Sequence, residues 1–563
     1  MRYPKKGICA GRLLFFPLVG LLAMLQACGG SGSAPAYTLG GDISGLRGSG
    51  LLVANGAGTV EVAAGASSFM FPTPLVTGST YAVTIPSQPA GQICRVTDGT
   101  GVVESAAVSV KISCSGPWAF VSGSSKNGAP GVYGVKGAAS AGSVPGARDG
   151  AVSWTDASGN LWLFGGTYID ATGKLFFLND LWQYTPSDGL WTWMSGSNTP
   201  SAVYGSLGSY GIRAVAAPSN VPGSRAGAVS WKDAAGNFWL FGGYGYDSSN
   251  VGYLNDLWKY DAATGEWTWE AGPDSSSPPS AVYGTQGVTA PTNLPGPRAG
   301  SVSWIDASGN LWLFGGNGDV SNASPFQIGY LNDLWEFSPA SGQWTWVSGS
   351  DTVFAAGVYG SLGVAAPANV PPARWGGGSW IDGSGTFWLF GGNASAGFLN
   401  DLWKFTPSTN QWTWVSGSST PNAIGVYDTQ SAAAAANVPG ARAPAAFWTD
   451  VVGNFWLFGG NGSSAPSTSG SFSDLWTFSP ASGQWTWVSG SSSAALGTVP
   501  AASVPAASVP AASVPATSAP GARDGAAAWV DGAGNFWLFG GASPATPIAG
   551  GELNDLWEYR QAD

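Results

Sequence analysis

The chain has 563 residues, of which 21 are Lys or Arg, 32 are Asp or Glu and none is His, so its net charge is −11 at pH 7. An acidic surface argues against nucleic acid or anionic lipid as the partner. The lack of histidine excludes an imidazole base, a Ser-His triad and a His-ligated zinc or copper site. Aromatic residues make up 13%, charged residues only 9%, and 86 residues are Gly, a composition that favours short strands over helices.

Residues 1–27 are predicted to be a signal peptide. Four basic residues precede the apolar run 13–23, which is too short to span a bilayer. The run Leu25-Gln26-Ala27-Cys28 resembles the lipobox of bacterial lipoproteins, and the resemblance implies that Cys28 is acylated and becomes the mature N-terminus. An ordinary secretory signal is the alternative.

Removal of the signal peptide would leave a flexible linker at 28–36 and an anchor held in the membrane by acyl chains alone. The lipoprotein resemblance implies the bacterial cell envelope, at the outer membrane or the cell surface. Four of the 21 basic residues would be lost, so 17 would face 32 acidic residues, a net charge of −15.

Residues 37–116 are predicted to form a small antiparallel β domain of the sandwich type, because Val, Thr and Tyr alternate between Gly-rich turns. Cys94 and Cys114 are the two cysteines that remain once Cys9 and Cys28 are assigned to the signal peptide and the anchor. In an exported protein an even pair is predicted to form a disulfide. The domain is interpreted as a spacer, with a ligand-binding role as the alternative.

Residues 117–563 contain six copies of one frame. Each copy holds an Arg, a short strand, the run Trp-Leu-Phe-Gly-Gly, an Asn-Asp-Leu-Trp run and a Trp-Thr-Trp run, with small variations. Four β-prone runs separated by turns predict four antiparallel strands per frame, as in a β-propeller blade. The Trp-Leu-Phe-Gly-Gly run recurs at 162–166, 239–243, 312–316, 388–392, 456–460 and 537–541.

The Gly-Gly strand followed by Trp resembles the kelch repeat of the kelch and galactose oxidase propellers over residues 117–559. The resemblance implies the propeller alone, since the copper site of galactose oxidase needs histidine, and neither a metal nor another cofactor is expected. Successive frame arginines lie 68 to 81 residues apart, whereas kelch units run about 50. The surplus lies in links before each frame, which are expected to pack against the blades.

Most of these links share a Val-Tyr motif, at Val132-Tyr133, Val203-Tyr204, Val282-Tyr283, Val358-Tyr359 and Val426-Tyr427. The link before the last frame instead repeats Val-Pro-Ala-Ala-Ser at 499–515, which indicates a polyproline-like spacer.

The two ends of the repeat region are predicted to close the ring. The last frame stops after its third strand, near Tyr559, whereas Trp118–Gly123 is a fourth strand without a frame of its own. Pairing these two would complete a sixth blade and leave no exposed edge.

Candidate site residues lie on the face that carries the links and the longer loops. One arginine precedes the innermost strand of each blade, and the six could bind an anion or could pair with the Asp of the Asn-Asp-Leu-Trp run. The arginines are Arg148, Arg225, Arg298, Arg374, Arg442 and Arg523, and the aspartates are Asp180, Asp256, Asp333, Asp401, Asp474 and Asp555.

Departures from the repeat are the more informative candidates. Trp375 follows its arginine where three of the six frames have Ala, and it could stack on a sugar ring or fill a gap. Asp149 and Asp524 occupy the same position in frames that meet at the closure, and they could share a proton, hold a cation or simply make turn hydrogen bonds. The loops after Gly-Gly add Tyr168, Asp170, Tyr244, Tyr246, Asp247, Asn317, Asp319, Asn393 and Asn461.

The sequence favours a lipid-anchored surface protein that binds a glycan or another protein without catalysis. The alternative is an enzyme of sugar or uronate chemistry resembling the propeller mutarotases, with Arg374, Asp149 and Asp524 as candidate residues. A scaffold without a small ligand is the third possibility.

Overall fold

The computed structural model describes residues 34–46, 48–89, 92–124, 126–170, 173–198, 205–275, 281–320, 327–465, 468–495, 519–544 and 551–560. These ranges are all-β, with several four- and five-stranded sheets consistent with a β-propeller. They include no helix that could cross a membrane. The predicted signal peptide, Cys28 and the Val-Pro-Ala-Ala-Ser segment lie outside the described residues.

Residues 36–115 contain ten strands, of which eight form two four-stranded sheets, β5-β2-β10-β8 and β4-β3-β7-β9, while β1 pairs with β6. The strands are Ala36–Tyr37 (β1), Leu39–Ser44 (β2), Leu51–Asn55 (β3), Gly58–Val62 (β4), Ser68–Met70 (β5), Leu75–Val76 (β6), Thr80–Ser87 (β7), Ile93–Thr97 (β8), Thr100–Val102 (β9) and Val108–Ser115 (β10). Both sheets contribute side chains to one core cluster, which includes Leu51, Val53, Val110 and Ile112. Two sheets around one core correspond to the expected sandwich.

The expectation that this region is purely antiparallel is wrong at one pair, since β10 runs parallel to β2. Parallel neighbours need a long connection, and the second sheet lies within the connection between these two. The disulfide is confirmed: Cys94 and Cys114 are direct partners in the antiparallel pair β8 and β10.

In each of frames one to three, strands two and three are joined by a hairpin that extends beyond the Gly-Gly pair. Frame one has Val152–Thr155 (β12), Leu161–Phe164 (β13), Thr167–Ile169 (β14), Leu175–Phe177 (β15), Leu181–Thr185 (β16) and Leu190–Ser195 (β17). Frame two has Arg225–Ala226 (β18), Val229–Lys232 (β19), Phe238–Tyr246 (β20), Val251–Asp261 (β21) and Glu266–Ala271 (β22). Frame three has Arg298–Ala299 (β23), Val302–Ile305 (β24), Leu311–Asp319 (β25), Ile328–Ser338 (β26) and Gln343–Ser348 (β27).

Frames four and five repeat this plan, while the described part of frame six holds only three strands of its own. Frame four has Gly378–Ile381 (β28), Phe387–Ala394 (β29), Gly397–Thr406 (β30) and Gln411–Ser416 (β31). Frame five has Ala433–Ala434 (β32), Arg442–Ala443 (β33), Ala446–Thr449 (β34), Phe455–Phe458 (β35), Asn461–Ala465 (β36), Thr468–Ser471 (β37), Leu475–Ser479 (β38) and Gln484–Ser489 (β39). Frame six has Ala527–Val530 (β40), Phe536–Phe539 (β41) and Leu556–Tyr559 (β42).

The strand Trp118–Ser122 (β11) lies in the sheet of frame six, in the order β11-β42-β41-β40. It pairs antiparallel to β42, with Trp118 opposite Tyr559 and Phe120 opposite Trp557. The Trp118 side chain is 4% exposed and also contacts Phe458 of frame five, with 5.4 Å between ring centroids.

Each frame packs on the next through the aromatic residues of its strands. The indole Nε1 of Trp154 donates to the carbonyl oxygen of Trp231 at 3.0 Å, and the indole of Trp529 donates to that of Trp162 at 2.8 Å. The second bond joins frame six to frame one, and the intermediate frames are joined in the same way. The repeated tryptophans therefore form contacts between neighbouring frames.

The links cover the fourth strands of the frames that they precede. Gly137 N–H, for example, donates to the carbonyl of Trp193 in β17 at 2.8 Å, so the outer edge of that sheet is not left open. The packing expected of the links is thus present where they are described.

One assignment within the links is wrong. Ser209-Tyr210-Gly211, and not Val203-Tyr204-Gly205, is the counterpart of Val132-Tyr133-Gly134, because Ser209 forms a bridge with Val221 as Val132 does with Val144. Val203 and Tyr204 lie outside the described residues.

Candidate functional site

The six frame arginines form bidentate ion pairs with the aspartates of their own frames. In frame one, Arg148 donates from both terminal nitrogens to the two carboxylate oxygens of Asp180, each at 2.7 Å. Its Nε and Nη1 also donate to the carbonyls of Gly146 and Gly165. The other five frames repeat this pattern, and all six arginine side chains are at most 2% exposed.

The paired aspartates accept further hydrogen bonds that satisfy them. The indole of Trp182 and the hydroxyl of Tyr133 both donate to Asp180 Oδ2 at 2.7 Å. Burial alone would raise the pKa of Asp180, but the charge and hydrogen bonds of Arg148 outweigh burial and hold the pKa below its ordinary value. Burial and the Asp180 charge raise the pKa of Tyr133.

The arginine backbone connects each frame to the one before it. Arg148 N–H donates to Leu553 of frame six, and the Arg148 carbonyl accepts from Gly541 at 2.9 Å. The side chain binds one frame and the backbone binds another, so a ligand could reach the guanidinium only by breaking the junction. The structure thus favours the pairing alternative over a direct ligand contact for Arg148, Arg225, Arg298, Arg374, Arg442 and Arg523.

In each frame, the residue after the arginine is the cross-strand partner of one residue of the extended hairpin, which is in turn the partner of a second. These three residues form a row, and we call the eighteen positions of the six rows the rim. Cross-strand partners point to the same side of a sheet. The rows, in frame order, are Asp149-Thr167-Phe177, Ala226-Tyr244-Tyr253, Ala299-Asn317-Tyr330, Trp375-Asn393-Phe398, Ala443-Asn461-Ser471 and Asp524-Ala542-Glu552.

A backbone girdle, formed by the residues that follow the first position of each rim row, links the six rows. Gly227 N–H donates to the Gly150 carbonyl at 2.9 Å, and equivalent bonds join Gly300 to Gly227, Gly376 to Gly300, Gly150 to Gly525 and Gly525 to Pro444. Gly227 has φ +64°, a left-handed backbone conformation that favours glycine, and a Cβ there would lie in van der Waals contact with that of Ala299 at 3.4 Å. Pro444 has no N–H, and the girdle is therefore open between Pro444 and Gly376.

Frames one to three contribute an aromatic arc to the rim. The ring of Phe177 lies 5.7 Å from that of Tyr244, which lies 4.9 Å from Tyr253. The amide of Asn317 donates to the Tyr253 hydroxyl at 2.7 Å, which joins frames two and three. Tyr244 is 39% exposed, so part of its ring is open to a ligand.

Frames one and six contribute a carboxyl arc made of Asp149, Asp524 and Glu552. Burial, and then the charge of Asp149, raise the pKa of Asp524 to about 6, although the Ser471 hydroxyl donates to its carboxylate. Burial also raises the pKa of Asp149, which accepts from Thr167, and that of Glu552, which accepts from the Ile169 backbone. The two aspartates that the sequence singled out thus lie close enough to influence each other electrostatically.

Trp375 lies at the junction of frames three and four. It is half-buried, and a Cβ on Gly300 would lie 3.0 Å from its Cε3 atom, so the indole packs over that glycine. Its backbone forms a bridge with Asn393. Trp375 thus fills a gap in the rim and retains some exposed surface.

The remaining loop candidates divide into rim residues and hairpin residues. Tyr244, Asn317, Asn393 and Asn461 belong to the rim. The others lie further along the hairpins: Tyr168 stacks on Phe176 at 5.1 Å, Asp247 accepts from the turn that contains Asn250, and Tyr246 contacts Phe177. Asp170 accepts from the backbone of Lys174, and Asp319 accepts from that of Gln327.

The sequence did not single out Thr167, Phe177, Tyr253, Tyr330 or Glu552. These residues are distant in sequence from the arginines and reach the rim only through strand pairing. The sequence signal for Thr167 is its position directly after Gly-Gly. The other four require the hairpin register.

In comparisons with known proteins, no family model matches the sequence and no curated protein matches it. Within the described ranges, no group of three or more Cys, Asp or Glu residues is placed to hold a metal ion. The rim is therefore interpreted from its own side chains.

Proposed function

We propose that residues 117–563 form a six-bladed, kelch-like propeller whose sixth blade is completed by β11. Two observations support this architecture: the pairing of β11 with β42, and the hydrogen bonds from Trp529 to frame one and from Gly150 to frame six. Residues 37–116 would be a separate domain that lifts the propeller from the membrane.

The rim is the proposed binding site, and a glycan is its proposed ligand. The observation that carries this proposal is the aromatic arc, in which Tyr244 is part-exposed beside Tyr253 and Asn317. Flat aromatic faces stack on the apolar faces of sugar rings, while amide and hydroxyl groups bind sugar hydroxyls. Because the paired arginines lie buried beneath, binding without chemistry is the simplest function of this surface.

The test is a glycan array probed with the chain from residue 29 onward and with its Tyr244→Ala variant. We expect the wild-type chain to bind a defined set of glycans and the variant to lose most of that signal. A Val452→Ser variant is the control, since Val452 is 78% exposed in a short hairpin at the opposite end of its frame. Equal binding by all three proteins, or none by the wild type, would refute glycan binding at the rim.

A sugar-active enzyme is the second candidate, and the Asp149 and Asp524 pair supports it. One carboxyl group with a pKa near 6 beside another is an arrangement that can transfer a proton near neutral pH. NMR exchange measurements on monosaccharides would detect accelerated anomerisation. If exchange is accelerated, and if Asp524→Asn abolishes the acceleration, the enzyme is preferred.

The proposed location is a bacterial envelope membrane, with a lipid on Cys28. Cys28→Ser should abolish incorporation of labelled palmitate and release the protein from the membrane fraction. Retention of both in the variant would contradict the anchor.

A further inference from the structure

The aromatic and carboxyl arcs of the rim meet in frame one. Asp149, Thr167 and Phe177 are cross-strand neighbours in one row, and Phe177 contacts Tyr244 of frame two. Three adjacent strands span about 10 Å. Phe177 itself is 8% exposed, so a short oligosaccharide lying along this row would contact the exposed ring of Tyr244 at one end and carboxyl groups at the other.

All the charged side chains of the rim are acidic. Its eighteen positions include Asp149, Asp524 and Glu552 and contain no Lys or Arg. The frame arginines beneath are each neutralised by an aspartate. A carboxylate-bearing sugar would meet repulsion here, whereas a cation would meet uncompensated negative charge.

From these observations we infer that the rim selects glycans bearing protonated amines, with the sugar ring on Tyr244 and the amine beside Asp149 and Asp524. The inference rests on the glycan-binding function proposed above and narrows its ligand class. It also opposes the expectation that uronates are the ligands.

The hydroxyl donors around the carboxyl groups fit this role. Thr167 donates to Asp149 and Ser471 donates to Asp524. These hydroxyl groups hold both carboxylates in position, and because they are uncharged they do not neutralise them. Burial disfavours their ionised forms, and an amine placed between them would offset that cost through charge-assisted hydrogen bonds. A lysine side chain could supply the same amine, but the exposed ring of Tyr244 favours a sugar.

The test compares two oligosaccharides that differ only at the amine: the β-1,4-linked hexamer of glucosamine and its fully N-acetylated form. Isothermal titration at pH 7 with the chain from residue 29 onward should show at least about tenfold tighter binding of the amine form, as expected for a hydrogen bond between charged groups. The Asp149→Asn/Asp524→Asn variant should lose this preference. Tyr244→Ala should weaken both ligands alike.

The matched control is Asp188→Asn, which removes one carboxylate from an exposed hairpin turn on the opposite side of frame one, and it should keep the preference. Equal affinities, tighter binding of a hexuronate, competition by a lysine peptide at the same site, or a preference that survives the double substitution would overturn the inference. If the N-acetylated hexamer binds through Tyr244 without an effect of charge, the proposed glycan-binding function stands and only the amine selectivity fails. Binding of no oligosaccharide would refute both.

Discussion

The layer of buried ion pairs and the rim above it follow opposite rules. The Arg–Asp pair recurs with the same atoms in all six frames, whereas no two rim rows have the same three residues. Loss of one partner of a buried pair leaves an uncompensated charge, so a repeat that depends on the pair must retain it. The rim is partly open to solvent and can vary, and it is therefore the layer in which to look for a ligand.

Removing one of the repeated arginines is expected to cause the largest loss of stability. Arg298→Ala should lower the free energy of unfolding by about 3–5 kcal/mol, because Asp333 would remain buried without its counter-charge. Urea denaturation followed by tryptophan fluorescence would measure the change.

Arg213→Ala is the control for that substitution. Arg213 lies exposed in a link, over the ring of Trp269, and its loss should cost less than about 1 kcal/mol. Equal losses in the two variants would contradict the distinction between frame arginines and other arginines.

The proposed closure predicts that Trp118 behaves as a frame tryptophan. Trp118→Ala should lower the free energy of unfolding by about 3–5 kcal/mol, as for other buried aromatic residues. Trp344→Ala is the matched variant, since Trp344 lies opposite Phe337 in β26 as Trp118 lies opposite Tyr559 in β42. A loss below about 1 kcal/mol for Trp118 alone would mean that β11 is dispensable to the ring.

The disulfide should stabilise the region before the frames more than the frames themselves. Cys94→Ala/Cys114→Ala opens a covalent loop with a sequence separation of 20 and should cost that region about 3 kcal/mol. Amide hydrogen exchange in β10 would report this loss. Residues 37–116 contain no tryptophan, so tryptophan fluorescence should show little change, and a large change would indicate that the two regions unfold together.

The carboxyl arc predicts a dependence of stability on pH. Asp524 has a raised pKa in the folded protein, so its protonated form favours folding at low pH and that contribution is lost as pH rises through about 6. Asp524→Asn should therefore stabilise the protein by about 1–2 kcal/mol at pH 8, after allowance for partial solvent screening, and by almost nothing at pH 4. A thermal unfolding series would check the pH profile, and the same gain at both pH values would contradict it.

The smallest expected effect belongs to the aromatic arc. Tyr244→Ala should change the free energy of unfolding by about 0.5 kcal/mol or less, because Tyr244 is 39% exposed and lies outside the repeated layers. Thermal unfolding of this variant and of Arg298→Ala would compare the two losses of stability directly. A loss as large as that of Arg298→Ala would assign Tyr244 to the scaffold.

Features that repeat in every frame could be predicted from the sequence, whereas features that depend on the register between paired strands could not. The Trp-Leu-Phe part of the repeated run at 162–166 lies in β13, and the Arg–Asp pairing is visible in the sequence because both partners recur in every frame. The Val-Tyr motif points to Tyr204 as the link tyrosine of frame two, but the hydroxyl that donates to Asp256 is that of Tyr210. A short motif alone does not show which tyrosine makes this contact. Tyr253, Tyr330 and Glu552 were missed because hairpins of unequal length do not reveal their cross-strand partners in the sequence.

The proline at position 444 gives the girdle two ends. Each of its five hydrogen bonds is donated by one frame to the frame before it, so the bonds all run in one direction from frame to frame. A glycine in place of Pro444 could donate a sixth bond and would leave the row without an end. With proline in one position, no N–H is available at residue 444 to donate to the carbonyl of Gly376, so the junction between frames four and five lacks the backbone hydrogen bond that joins each other pair of neighbouring frames at this level.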